Sequence, residues 1–186
     1  MKKLAAWMLI LALMLTAAAA LADTTESFDD FTITIPDGQT LQRGTKANNE
    51  VVLTVYGAQG ADGLTANMNV VWVDEYLDLS TLDLDELGKF MADNSVVGME
   101  SIGTVVTDLN IISTEMNEIG GKPAVMTAYT YNADYSALGV DINAPMVTIQ
   151  ALVSEPDLGT YIFTMGAGDM DLVTEMAATA DTIIWK

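Results

Sequence analysis

With 26 Asp and Glu residues and no His or Cys among its 186 positions, the sequence leaves the carboxylate as its one abundant reactive group. That composition excludes Ser-His-Asp and Cys-His nucleophilic sites, His-ligated zinc, thiolate chemistry and disulfides. Two carboxylates flanking a glycosidic bond can hydrolyse it when one is kept protonated. The candidates are Asp74, Glu75 and Asp78, which follow an apolar run, and Asp134 and Asp141, which sit in a long connection. Nothing in their spacing makes them converge, and among so many acids close pairs arise by chance, so solvated surface is the simpler reading. A carboxylate-dependent hydrolase acting outside the cytoplasm is therefore the alternative function, and no residue is assigned a catalytic role.

Metal sites fare no better. Calcium takes clustered oxygens, but Asp83, Asp85 and Glu86 are explained by helix capping and dipole chemistry, as are Asp169 and Asp171 before the last helix. No EF-hand loop is present. The twelve methionines are dispersed, and Met68, Met91, Met126 and Met176 fall on apolar faces, so core filling explains them better than Cu(I) ligation. No metal and no cofactor is expected.

Recognition chemistry is left to the tyrosines. Tyr129, Tyr131 and Tyr135 lead into residues 132–145, a connection of over a dozen residues where hairpins take about two to five. A loop that long is uncommon unless it is functional or disordered, and tyrosine offers flat, amphipathic contact surface. The expected binding residues are Tyr129, Tyr131, Asp134, Tyr135 and Asp141. The plainer reading is a long hairpin whose tyrosines pack on a helix.

The elements that must position these residues are legible from periodicity. Phe31, Ile33 and Ile35 alternate with threonines before Pro36-Asp37-Gly38, which predicts a half-buried strand and a turn. Residues 39–50 read as a loop. Residues 51–58 and 64–73 flank a glycine-bearing turn and predict a hairpin, with Ala66, Met68 and Val70 on one face and Thr65, Asn67 and Asn69 on the other. Asp83 with Glu86 three residues on predicts a helix over 84–94, followed by a glycine-broken stretch. Residues 108–118 and 122–132 flank Gly120-Gly121 as a second hairpin, with Val125, Thr127, Tyr129 and Tyr131 on one face. Residues 147–154 and 160–166 make a third. Leu172, Val173, Met176, Ala177 and Ala180 share one face of a last helix.

At the start of the chain, Met1-Lys2-Lys3, the apolar run 4–16 and Ala20-Leu21-Ala22 read as a signal peptide cleaved before Asp23. Loss of Lys2 and Lys3 with that segment takes the formal charge from −19 to −21. The remaining residues 23–186 suit one domain without staples. Nucleic acid is excluded as a partner by charge, and the five basic residues left, Arg43, Lys46, Lys89, Lys122 and Lys186, are scattered in sequence. No later segment is apolar enough to span a membrane.

The order of these features resembles the PsbP/Mog1-like family over nearly all of residues 23–186. The matching signals are Phe31-Thr-Ile-Thr-Ile-Pro36, Leu64-Thr-Ala-Asn-Met-Asn-Val70, Ile119-Gly-Gly-Lys-Pro-Ala124, Gly159-Thr-Tyr-Ile-Phe-Thr164 and the final helix. The resemblance is to bacterial secreted members. It implies an α+β fold, with a central antiparallel sheet of about six strands sandwiched by helices, and binding or accessory roles instead of catalysis. The ion-binding histidine of photosynthetic members is missing, so their specialised role is not carried over. The expectation is a secreted or periplasmic, non-catalytic binding or accessory module. Its partner would be a protein or an envelope component, and it would be a monomer or weak oligomer.

Overall fold

The structure, a computed structural model, describes residues 23–186; the expected signal peptide lies outside the described residues. Ten strands form two antiparallel sheets. The small sheet has the order β1–β2–β10, with β1 Thr24–Ser27, β2 Phe31–Ile35 and β10 Ile184–Trp185. The large sheet has seven strands, in the order β3–β4–β5–β9–β8–β7–β6. These are β3 Thr40–Arg43, β4 Glu50–Gln59, β5 Thr65–Val73, β6 Val105–Ile119, β7 Lys122–Asp134, β8 Asn143–Glu155 and β9 Gly159–Ala167. Two helices, α1 Leu84–Ser101 and α2 Met170–Ala180, cover opposite faces. This is the expected α+β arrangement, with one more strand in the main sheet than the sequence suggested.

The alternating patterns place the core. Phe31, Ile33 and Ile35 of β2, Leu53 and Val55 of β4, Met68 and Val70 of β5, and Tyr161, Phe163 and Met165 of β9 bury one face of the large sheet beneath β2 and α2, whose Val173, Met176 and Ala180 point inward. On the opposite face α1 lies over β6 and β7, and its Met91 and Ala92 meet Val125, Tyr129 and Tyr131. Because the helices are offset, the second face stays uncovered over β3, β4 and β5, and that half carries polar side chains: Thr54, Asn67 and Asn69.

Four boundaries differ from the sequence reading. β3 lies inside the expected loop 39–50; as an edge strand with little burial it shows no hydrophobic alternation. α1 runs through Gly98 to Ser101 because Met99 packs on the tyrosine cluster, which outweighs a glycine cost of about 1 kcal/mol. β6 begins at Val105 and carries a bulge at Asp108, whose φ is 57°. The largest correction concerns 132–145. Asn132 pairs with Pro145 and Asp134 with Asn143, so the ladder takes six of the fourteen positions of the supposed loop and leaves eight, 135–142, with a 3-10 turn at Ser136–Leu138. Polar strand ends and a proline hid that pairing. Gly120 and Gly121, with φ of 59° and 77°, make the tight turn that their adjacency predicts.

Tertiary packing also gathers cations that the sequence scatters. At the seam between the two sheets, Lys46 pairs with Asp30, Arg43 with Glu26, and Lys186 reaches Ser27 and the Phe28 carbonyl. Lys46 Nζ lies 4.5 Å from the Trp72 ring centroid, and the Arg43 guanidinium lies 4.4 Å from that of Phe28. Three of the five basic residues thus meet around residues 26–30, where Asp30 also accepts from the Tyr161 hydroxyl. Burial pushes the Asp30 carboxyl up, but Lys46 and Tyr161 outweigh it and hold the carboxyl below its ordinary value. A depressed carboxyl contributes stability that is present above the unfolded value of about 4 and is lost as pH falls through the folded value. Asp30→Asn should therefore cost about 2 kcal/mol at pH 7, the worth of a hydrogen bond to a charged group. The gap between the two proteins should close on acidification from pH 5 toward pH 3. Denaturant titration at several pH values measures it, and a constant gap would show that the cluster is not titrating.

Candidate functional site

Where the C-terminal half of α1 overhangs the sheet, the structure leaves a cleft of about 300 Å³. Its roof is Ser95, Gly98 and Met99 of α1 with Ile102 behind, and its floor is built by four adjacent strands, β5, β9, β8 and β7. Strand pairing sets the floor residues side by side. Asn69 faces Thr164, Asn67 faces Gly166, Gly166 faces Thr148, and Thr148 faces Tyr129. Tyr131 pairs with Met146 one step further along, and Tyr135 enters from the 135–142 connection.

The floor is laced by short polar contacts. Thr54 Oγ1 donates to Asn69 Oδ1 at 2.7 Å, Asn69 Nδ2 to Asn67 Oδ1 at 3.1 Å, and Gln150 Nε2 to Thr164 Oγ1 at 3.0 Å. Thr148 Oγ1 donates weakly to the Tyr131 hydroxyl at 3.4 Å. Tyr129 differs from its neighbours: the residue is fully buried, and its hydroxyl has no hydrogen-bond partner within the protein. Gln150 Oε1, next to Thr164, is likewise buried and unpartnered. Such groups are uncommon in folded proteins because an unmade buried bond costs about 1–3 kcal/mol. Burial pushes the Tyr129 phenol up to about 12, and Tyr131 adds to the rise; the Ser95 and Thr148 hydroxyls lie close enough to oppose it but do not meet the distance and angle of a hydrogen bond. The hydroxyl is therefore neutral and free both to donate and to accept.

Of the five residues singled out in the sequence, the structure brings together the three tyrosines and leaves out the two acids. Tyr129 and Tyr131 are buried beneath α1, ring centroids 6.1 Å apart, and Tyr135 is half-buried at the mouth. Tyr131 is thus a wall of the cleft, not a free-standing anchor. Asp134 accepts from the Ser136 N–H, which holds its carboxyl below the ordinary value, and it starts the 3-10 turn; Asp141 is exposed beyond it. Asp78 caps the 3-10 turn Leu79–Thr81, while Asp74 and Glu75 are exposed. Among the described residues no group of three or more acids is arranged to hold a metal ion.

Asn67, Asn69, Thr148 and Thr164 were not singled out. The alternation of β5 shows Asn67 and Asn69 on the face opposite Met68, but no local signal says that α1 stops short of them. A larger groove of about 610 Å³ lies between the start of α1 and the free edge at β6, lined by Asp85, Lys89 and Asp93 together with Ile111 and Ile112. It is open, and among the described residues no buried, unpartnered side-chain atom belongs to its lining.

One prediction follows from the orphaned hydroxyl. Tyr129→Phe removes a polar group that gains nothing in the unliganded protein, so it should stabilise by up to about 1 kcal/mol, raising Tm by about 2–4 °C. A substantial loss of stability on thermal unfolding would mean that the hydroxyl is satisfied within the fold.

No family model matches the chain, and no curated protein matches its sequence. Solved structures do match its shape. The solution structure of cyanobacterial PsbP (CyanoP) from Synechocystis superposes with a TM-score of 0.59 at 13% identity, covering 89% of this chain and 94% of that one. The Ran-binding protein Mog1p of Saccharomyces cerevisiae gives a TM-score of 0.48 at 16% identity, covering 87% and 85%. A Pseudomonas aeruginosa protein of unknown function gives 0.41 at 12% identity, covering 84% and 90%. The chain therefore has the PsbP-like fold that its sequence resembles. No helix of the described residues is long and apolar enough to cross a membrane.

Proposed function

We propose that the domain is a non-catalytic binding or accessory module working outside the cytoplasm, and that its ligand site is the cleft beneath the C-terminal half of α1. The observation that carries this reading is the Tyr129 hydroxyl, buried without a hydrogen bond just beneath the surface of a cleft walled by tyrosines and floored by asparagine and threonine. A few placed polar groups within an otherwise aromatic and apolar concavity are the common form of a small-ligand site. The absence of His and Cys from the sequence and the dispersal of the candidate acids argue against a catalytic reading.

The reading is tested by titrating isotope-labelled protein with a library of small neutral fragments and following backbone amide shifts. Perturbations should gather on residues 67, 69, 98, 99, 148 and 164. Fragments that gather instead on Asp74, Glu75 and Asp78, or on the groove beside β6, would overturn the assignment of the site. For the compartment, the expected mature N-terminus is Asp23, because Ala20 and Ala22 occupy the small-residue positions before it. Mass spectrometry of protein recovered from outside the cytoplasm should lack residues 1–22.

A further inference from the structure

We infer that the cleft takes a neutral, hydroxyl-rich ligand, a saccharide unit or the exposed part of a glycan chain. This inference rests on the cleft being the ligand site.

The cleft carries no charge. Asp, Glu, Lys and Arg make up 18% of the sequence, yet none of the thirteen residues lining the cleft is among them. In so acidic a protein, a charge-free concavity favours a ligand without charge: an anion is repelled by the surrounding field, and a cation finds no carboxylate.

Its polar groups offer both donors and acceptors. The Tyr129 hydroxyl is free to donate and to accept, the Tyr131 hydroxyl accepts from Thr148 and keeps its own proton, and Thr164 accepts from Gln150 and does the same. The amides of Asn67 and Asn69 add donors that their mutual bond does not exhaust. A ligand hydroxyl, itself donor and acceptor, answers this mixture. A purely apolar ligand would bury the same groups unpaired. Met99, Ile102 and Met146, with the tyrosine rings, supply surface for the C–H faces of a sugar ring.

The floor has no free backbone. Peptides often bind by adding a strand to a free sheet edge, but this floor is the middle of a seven-stranded sheet, with its backbone already paired on both sides. Only side chains are presented. They continue beyond the cleft as a polar row, Thr54, Asn69, Thr164 and Gln150, spaced by the strand separation of about 4.8 Å. An extended chain of sugar rings can follow such a row past the roof.

The test uses residues 23–186, Tyr129→Phe and Asn69→Ala, with soluble tetrasaccharides of β-1,4-linked glucose and of β-1,4-linked N-acetylglucosamine as probes. Insoluble cellulose and chitin form a second arm, so that recognition of a free oligosaccharide is separated from recognition of a polymer surface. Amide shifts from residues 67, 69, 148 and 164 should respond to at least one neutral saccharide. The β-1,4-linked tetraglucuronate, the charged counterpart of the glucose tetrasaccharide, should bind at least tenfold more weakly. Tyr129→Phe, which retains the fold and the ring, should weaken the neutral saccharide about tenfold. If neither arm binds, or if Tyr129→Phe binds as the parent does, the ligand class is overturned. In that case fragments or a neutral tetrapeptide that still perturb the cleft would leave the site assignment standing. Binding confined to other surfaces would overturn both.

Discussion

Phe31→Ala should lower stability by about 3–5 kcal/mol, the range for emptying a buried aromatic site. Phe31 is fully buried at the point where the small sheet meets the large one. Its ring centroid lies 5.0 Å from that of Phe28, 5.7 Å from Tyr161 and 5.5 Å from Trp185, the last two in edge-on geometry. Trp185 in turn donates its indole N–H to the Ile119 carbonyl at 2.8 Å, and Lys186 N–H donates to the Asp30 carbonyl at 2.9 Å, so the C-terminal strand is held through the same cluster. Removing the ring takes away the aromatic part of the contact that β2 and β10 share with the main sheet and leaves Ile33 and Ile35 to hold the rest. For a chain of this length the expected fall in Tm is about 10 °C. Denaturant unfolding with an unchanged slope is the measurement to make. A loss below about 1 kcal/mol would show that the small sheet lies outside the cooperative unit.

Gly88→Ala should destabilise by about 1–3 kcal/mol even though alanine is the better helix former by about 1 kcal/mol. Gly88 is buried in the second turn of α1, and a Cβ there would lie 1.9 Å from Thr114 Oγ1 and 2.9 Å from Thr114 Cβ on β6. No side chain can occupy that space unless the helix lifts from the sheet. The sign of the change therefore reports whether close approach or backbone propensity decides. The cleft roof belongs to the same helix, so lifting it should also expose the Tyr129 ring, which ultraviolet difference spectra of the tyrosines would register. Stabilisation by this substitution would mean that α1 sits further from β6 than described.

The opposing arrangement of α1 and α2 explains which parts of this protein were legible in advance. Strands such as β2 and β5 announce themselves because each buries one face, which imposes a period of two on their residues. The capping by Asp83 and Asp169 and the Gly120-Gly121 turn are local chemistry, and they formed as read. Boundaries failed where burial leaves no period. β3 and most of β6 are exposed edges, and the far ends of β7 and β8 carry Asn132, Asp134, Asn143 and Pro145, which look like loop.

The candidate site divides along the same line. Composition alone determined that no His or Cys chemistry is available, and the parity of β7 put Tyr129 and Tyr131 on one face. The plainer reading, tyrosines packed on a helix, holds; which helix covers them, and that it leaves a cleft at its end, required the packing of α1. So did the meeting of Asn69 with Thr164, 95 positions later, and of Arg43 and Lys46 with Lys186 around residues 26–30. A period along the chain says which face a residue occupies, whereas its neighbour across that face is set by strand order and register. Those depend on contacts between segments that no local pattern encodes.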